Sequence, residues 1–171
     1  YPTSPKMDVW ARGAVVFDNA YTSGPYTTIA LPSMLTGFLM GQMPGYIRDL
    51  YDEQVASPIV KLPAAQVTIA EHLKAEGYVT GAVVSGFDIR SNAYDQGFDQ
   101  VELISKRSFD TADKVSAAAR KWLAENPTGK RFLWLHYFDP HDPYFHDVKP
   151  NFGKAPKARY AGSIAFMDNH L

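Results

Sequence analysis

Two short polar segments hold the side chains whose types and spacing suit chemistry. The first is Ser23-Gly-Pro-Tyr-Thr-Thr28, with hydroxyls at Ser23, Thr27 and Thr28 and no histidine beside them. A hydroxyl is a weak nucleophile at neutral pH unless a base or a metal ion activates it, so nucleophilic use of this segment calls for a metal. The structural alternative is that Thr27 or Thr28 caps a helix, a position that hydroxyl residues favour.

The second segment is His136-x-x-Asp139-x-His141-Asp142, which gathers imidazoles and carboxylates in one short stretch. Such a set can take a metal or an anion, but the spacing matches no standard zinc arrangement. An isolated histidine is commonly a packed or surface side chain, the role expected of His72 and His170, while His146 is undecided.

The elements around these segments alternate between strand and helix. Gly13 to Phe17 (GAVVF) reads as a short buried strand that ends at Asp18-Asn19. Ile29 to Leu35 is a compact apolar stretch closed by Gly37, as at a helix C-cap. Residues 41–65 are rich in Pro and Gly and predict an irregular connection. Thr68-Ile-Ala-Glu71 is a capping-box pattern, with Gly77 as the helix stop.

A strand is expected from Tyr78 to Ser85. A helix follows over residues 110–126, with Val115, Ala119, Trp122 and Leu123 near one face, and the clearest strand is Arg131 to His136. This alternation predicts an α/β layered fold around a largely parallel sheet. In such sheets ligands bind outside the carboxyl ends of the strands, where both polar segments fall.

Bulk properties exclude other classes. A chain of 171 residues is long enough for one domain with its own core. Basic and acidic residues nearly cancel, at a formal charge of -1, and are interspersed, which argues against nucleic acid as a partner. No apolar run reaches the roughly 18 residues needed to span a bilayer, and no signal-peptide pattern is present. The absence of cysteine removes disulfides and thiolate chemistry.

With both segments in view, the chain resembles the sulfatase branch of the alkaline phosphatase superfamily. Matching pieces run in order: Thr3-Ser-Pro-Lys-Met-Asp8, Ala11-Arg-Gly-Ala-Val-Val-Phe-Asp-Asn-Ala-Tyr21, the Thr-Gly ending at Gly37, and Thr68-Ile-Ala-Glu-His-Leu73 with Gly77-Tyr78. Gly97-Phe98-Asp99, Phe138-Asp-Pro-His-Asp-Pro-Tyr144 and Tyr160 to Leu171 complete them. The resemblance covers almost the whole chain. It implies an α/β/α sandwich of the alkaline phosphatase kind and hydrolysis or transfer of sulfate or phosphate esters.

In such enzymes the nucleophile lies just before a helix that ends in Thr-Gly, and counting back from Thr36 gives Thr27. Many sulfatases carry a cysteine there, oxidised to formylglycine; members with threonine include phosphoryl transferases and phosphodiesterases. A competing alignment matches Leu31-Pro32-Ser33 to the x-Pro-Ser of sulfatases and places Ala30, which cannot attack, at the nucleophile position. His141 matches the histidine that contacts the ester oxyanion, leaving His136 and Asp139 to hold the loop in shape.

The resemblance also implies a divalent metal, calcium, zinc or manganese, bound by an Asp-rich segment upstream and an Asp-His-Gly-like segment downstream. Neither segment occurs in residues 1–171, so no metal ligand is assigned here. The chain is expected to be a single partial domain, truncated at both ends and inactive or nearly so by itself. An exposed sheet edge open to self-association is expected, and family habit suggests an extracytoplasmic or periplasmic setting. The alternative is a non-catalytic anion-binding or interaction module that kept the fold.

Overall fold

Strand β1 (Val79–Ser85) forms the centre of a three-stranded parallel sheet in the computed structural model, which describes residues 1–43, 61–106, 111–144 and 150–171. It is flanked by β2 (Gln100–Ser105) and β3 (Arg131–His136), giving the order β2-β1-β3. Val79 pairs with Arg131 and Val84 with His136, while Ala82 pairs with Val101 on the other side.

Because side chains alternate across a strand, β1 feeds two cores. Ala82 and Val84, with Trp134 of β3, pack against Leu31 and Leu35 of helix α2 (Thr27–Thr36). Val83 faces the other way, with Leu133 and Leu135, onto Val115 and Ala118 of α4 (Ala112–Glu125). Helix α5 (Pro156–His170) packs on α4, and α1 (Pro5–Ala11) lies against α5. Helices therefore cover both faces of the sheet, as the α/β/α reading expected. Among the described residues no helix is long and apolar enough to cross a membrane.

Backbone shape is fixed where glycine is required. A Cβ on Gly81 would sit 2.5 Å from the Trp122 ring, so the indole lies directly on the β1 backbone. Gly97 has φ +88°, and a Cβ there would come within 2.5 Å of the Glu71 amide nitrogen. That contact seats the Gly97-Phe98-Asp99 turn on α3 (Ile69–Ala75). Asp99 then accepts from the Thr80 amide at 3.0 Å and from the Thr80 hydroxyl at 3.0 Å, and pairs with Lys74.

Helix starts are satisfied in two ways. In α3 the Glu71 amide donates to Thr68 Oγ1 at 3.1 Å and the Thr68 amide to Glu71 Oε2 at 2.8 Å, the reciprocal box read from the sequence. The other device acts at a distance. Asp168, buried in α5, accepts from the amides of Lys6 and Met7 at the start of α1, both at 2.9 Å. Asp139, buried in the loop after β3, accepts from Thr111 and Ala112 at the start of α4, at 2.9 and 3.0 Å.

Several expectations are corrected. Gly13 to Phe17 forms no strand; Val15, Val16 and Phe17 stand 81%, 63% and 77% exposed. Strand-forming residue types stabilise a strand only through packing and pairing with neighbours, and none of the described strands runs beside this segment. Leu123 is 40% exposed, off the face of α4 that buries Val115, Ala119 and Trp122. Strand β2 and helix α1 were not anticipated. Within the expected connection over residues 41–65, Met40–Gln42 forms a short 3-10 turn and 44–60 lie outside the described residues.

Candidate functional site

Helix α2 begins at Thr27. Tyr26 occupies the N-cap position with extended backbone, and its carbonyl accepts from the Ala30 amide at 2.9 Å. No side chain caps this helix. Thr27 is exposed, and among the described residues its hydroxyl has no hydrogen-bond partner, so it does not act as a capping group.

Hydroxyls deeper in α2 are engaged. Ser33 donates to the Ile29 carbonyl at 3.2 Å and Thr36 to the Pro32 carbonyl at 2.7 Å. The Pro32 carbonyl is thereby occupied by a side chain, as hydroxyls in helices often arrange. Gly37 ends the helix in the left-handed region, φ 74°, as the sequence indicated. Ala30, the position of the competing alignment, lies within the helix rather than at its start.

The preceding loop rides on the helix. A Cβ on Gly24 would meet Ile29 Cγ2 at 2.3 Å, and Ser23 Oγ donates to the Ile29 carbonyl at 3.4 Å. Beside this loop is a mainly apolar cavity of about 420 Å³, lined by Thr22, Ser23, Ser33, Met34 and Phe38 among others. Neither Thr27 nor His141 lines it.

The second segment emerges from the carboxyl end of β3. His136 is half-buried and meets Phe87 edge-on, 5.1 Å between centroids. Loss of solvent around its ring holds its pKa below the ordinary value of 6.5. Phe138 lies flat over Gly86, where a Cβ would come within 2.2 Å of the ring; Gly86 has φ +92°. Beneath them the Thr111 hydroxyl donates to Ser85 Oγ at 2.7 Å. These contacts and the Asp139 cap tie the loop to the carboxyl end of β1 and to the start of α4.

His141 stands at the exposed end of this arrangement. Its ring stacks on Phe138, 4.2 Å between centroids and 21° between planes, and Nδ1 lies 2.6 Å from the Asp142 carbonyl oxygen. His72 is exposed on α3, His170 packs against Phe166 at 4.7 Å, and His146 lies outside the described residues.

A divalent metal does not fit the described residues. No group of three or more His, Asp or Glu side chains converges among them, and Asp139 and Asp168 are committed to helix starts. Sequence reasoning did not foresee either long-range cap. A buried carboxylate far along the chain from the helix it serves leaves no local spacing to read.

The parallel sheet thus lies between two helical layers, with Thr27 opening one helix and the loop from His136 to Asp142 following a neighbouring strand. The sulfatase family model matches residues 1–171, and the chain belongs to that family.

Solved structures agree in fold. An alkaline phosphatase superfamily protein from Vibrio parahaemolyticus superposes with a TM-score of 0.69 at 19% identity, covering 99% of this chain and 43% of its own. Ps i-CgsB gives 0.74 at 18% identity, with 98% and 47% covered. The C-terminal periplasmic domain of EcEptC from Escherichia coli gives 0.67 at 19%, with 99% and 50% covered. That domain has also been solved in complex with Zn. The chain thus spans half or less of the length of these structures. Comparison with curated proteins gave no match.

Proposed function

We propose that this chain is the nucleophile-bearing part of a metal-dependent hydrolase or transferase acting on sulfate or phosphate esters, with Thr27 as nucleophile and His141 as a donor to the ester oxyanion. The observation that carries the reading is the state of Thr27: an exposed hydroxyl at the first position of α2, without structural employment among the described residues. The helix start favours negative charge, which suits an anionic ester approaching this hydroxyl.

Threonine in place of an oxidisable cysteine favours phosphoryl chemistry over formylglycine-dependent sulfate hydrolysis. The metal, calcium, zinc or manganese by family, would be held outside the described residues, whose carboxylates do not form a site. The exposed run Val15-Val16-Phe17 supports this division, because a further part of the fold would cover it. The periplasmic origin of the EcEptC relative favours an extracytoplasmic setting.

A second reading, a non-catalytic anion-binding module, draws on one observation: Asp139 and Asp168 serve helix starts. Metal content and turnover of aryl phosphate and aryl sulfate esters separate the two. The assays compare residues 1–171 with a longer polypeptide carrying flanking family segments, each with and without Thr27→Ala. Turnover by the longer protein, lost in T27A, supports the enzyme. A longer protein that neither binds metal nor turns over either ester supports the module.

A further inference from the structure

Strand β3 closes the sheet on one side, and none of the described strands pairs with its outer edge. On the inner side the Val79 amide donates to the Lys130 carbonyl at 3.0 Å, and pairing runs without a bulge from Val79 with Arg131 to Val84 with His136. Backbone groups of successive residues face opposite edges of a strand, so Lys130, Phe132, Trp134 and His136 turn theirs toward β1. Arg131, Leu133 and Leu135 turn their N–H and C=O groups outward.

The two edges of the sheet differ in kind. Strand β2 carries Glu102 in mid-strand, and its register shifts where it meets Val84 and Ser85. A charge and an irregularity of this sort discourage a further strand. Strand β3 has neither: it contains no proline, its only Lys, Arg, Asp or Glu is Arg131 at the first position, and Phe132-Leu-Trp-Leu135 is apolar throughout. Yet Phe132 to Leu135 are only half-buried, whereas Thr80 to Ser85 of β1 are fully buried. Trp134 lies on the α2 side and Leu133 and Leu135 on the α4 side, so the incomplete burial affects both faces.

We propose that β3 is a self-pairing edge, through which two copies of the chain join antiparallel about a two-fold axis at Leu133 into one continuous sheet. In that register Leu133 exchanges both backbone bonds with its own counterpart, and Arg131 with Leu135 of the other copy, so every outward group of the strand is satisfied. Phe132 comes opposite Trp134 of the other copy, and Trp134 opposite Phe132. These are the positions without backbone bonds, where side chains approach closest and aromatic pairs stabilise a sheet. Arg131 faces an apolar residue, so no like charges meet within the strand. The arrangement is isologous and closed, which limits it to two copies. A single strand pair is smaller than the roughly 1,200 Å² of standard interfaces, so the association is a weak one.

The experiment combines sedimentation of residues 1–171, over about 10 µM to about 1 mM, with residue-resolved amide hydrogen exchange at the same concentrations. Apparent mass should rise toward twice that of one chain. In step with it the amides of Arg131, Leu133 and Leu135 should gain protection, about tenfold where about nine-tenths of the chain is paired. The amides of Phe132 and Trp134, bonded to β1 already, should not respond. Arg131→Pro removes an outward N–H at the first position of the strand, where proline is tolerated, and should abolish the rise in mass. Blue-shifted Trp122 emission reports that this variant has folded, and the exchange pattern of the native chain carries the test without it.

A chain that stays single at every concentration with these three amides unprotected overturns the proposal. So does a dimer that leaves them unchanged, because another surface then forms it, and so does a folded Arg131→Pro chain that associates as before. Protection of the three amides in a chain that remains single shows another segment of the same polypeptide on this edge, and overturns the proposal as well.

Discussion

The carboxylate of Asp168 lies 2.9 Å from the backbone nitrogen of Lys6, so a residue in the last helix closes the start of the first. The Met7 amide takes the other oxygen, and Lys6 Nζ reaches the Asn169 carbonyl at 2.6 Å. Helix α1 buries none of its own residues, so this attachment is a main determinant of its place. Asp168→Ala is expected to cost about 2–3 kcal/mol, the range for bonds to a charged group left unmade. Urea unfolding measures the loss, and hydrogen exchange should show α1 amides opening first. An unchanged midpoint and unchanged α1 protection would remove this role from Asp168.

Thr27 and Thr68 provide a contrast within one residue type. Thr68→Ala breaks a reciprocal cap that is also bonded to the Gln96 carbonyl at 2.9 Å, and should destabilise by about 1–2 kcal/mol. Thr27→Ala removes a hydroxyl with no described partner and should leave stability within about 0.5 kcal/mol. Thermal unfolding of the pair tests this directly. A large loss in T27A would show that its hydroxyl is structural.

Acid sensitivity should begin at His136. Its folded-state pKa lies below 6.5 because the ring is desolvated, so the unfolded chain binds the proton more readily. Stability is therefore complete above the unfolded value and declines as pH falls from 6.5 toward the lower folded pKa. Asp99 acts in a lower window: Lys74 and the Thr80 hydrogen bonds depress its pKa below 3.8, so its contribution is full above 3.8 and is lost as pH falls from there through the depressed folded value. Unfolding free energies measured at pH 7.5 and 5.5 should differ in the native chain and converge in His136→Gln.

Gly97→Ala should be among the most damaging single-methyl additions. The backbone is left-handed at φ +88°, and the new carbon would enter the first turn of α3 at 2.5 Å from an amide nitrogen. A cost above about 2 kcal/mol is expected, from strain and overpacking together. Gly77→Ala offers the comparison, since φ is +81° but nothing lies within 4 Å, so only the conformational part should appear. Equal destabilisation of the two variants would show that contact with α3 contributes nothing.

The parts of this fold legible in the sequence are those written in local spacing. The capping box at Thr68, the αL stop at Gly37 and the apolar run of β3 each depend on residues within a few positions of one another. Strand β2 escaped notice because Gln100 and Glu102 interrupt its apolar residues; it is half-exposed and held by pairing to β1. The run from Gly13 to Phe17 failed in the opposite sense, with strand-like composition but no ladder to join. The same division applies to the candidate site. Thr27 and His141 were visible as residue types in order, whereas Phe138 as the ring's support became apparent only once Gly86 was placed under it.

The seating of Trp122 on Gly81 also gives the molecule an optical gauge. Its indole is 6% exposed, Trp134 is half-buried on the opposite face of the sheet, and Trp10 on α1 is 74% exposed. Three emitters at three depths mean that a quencher dissolved in water reaches Trp10 first and Trp122 last. Release of α1 would alter only the surroundings of Trp10 while leaving the blue-shifted emission of Trp122 in place. Loss of the sheet would expose Trp122 and Trp134 and red-shift their emission, so steady-state fluorescence can separate fraying of the first helix from collapse of the core.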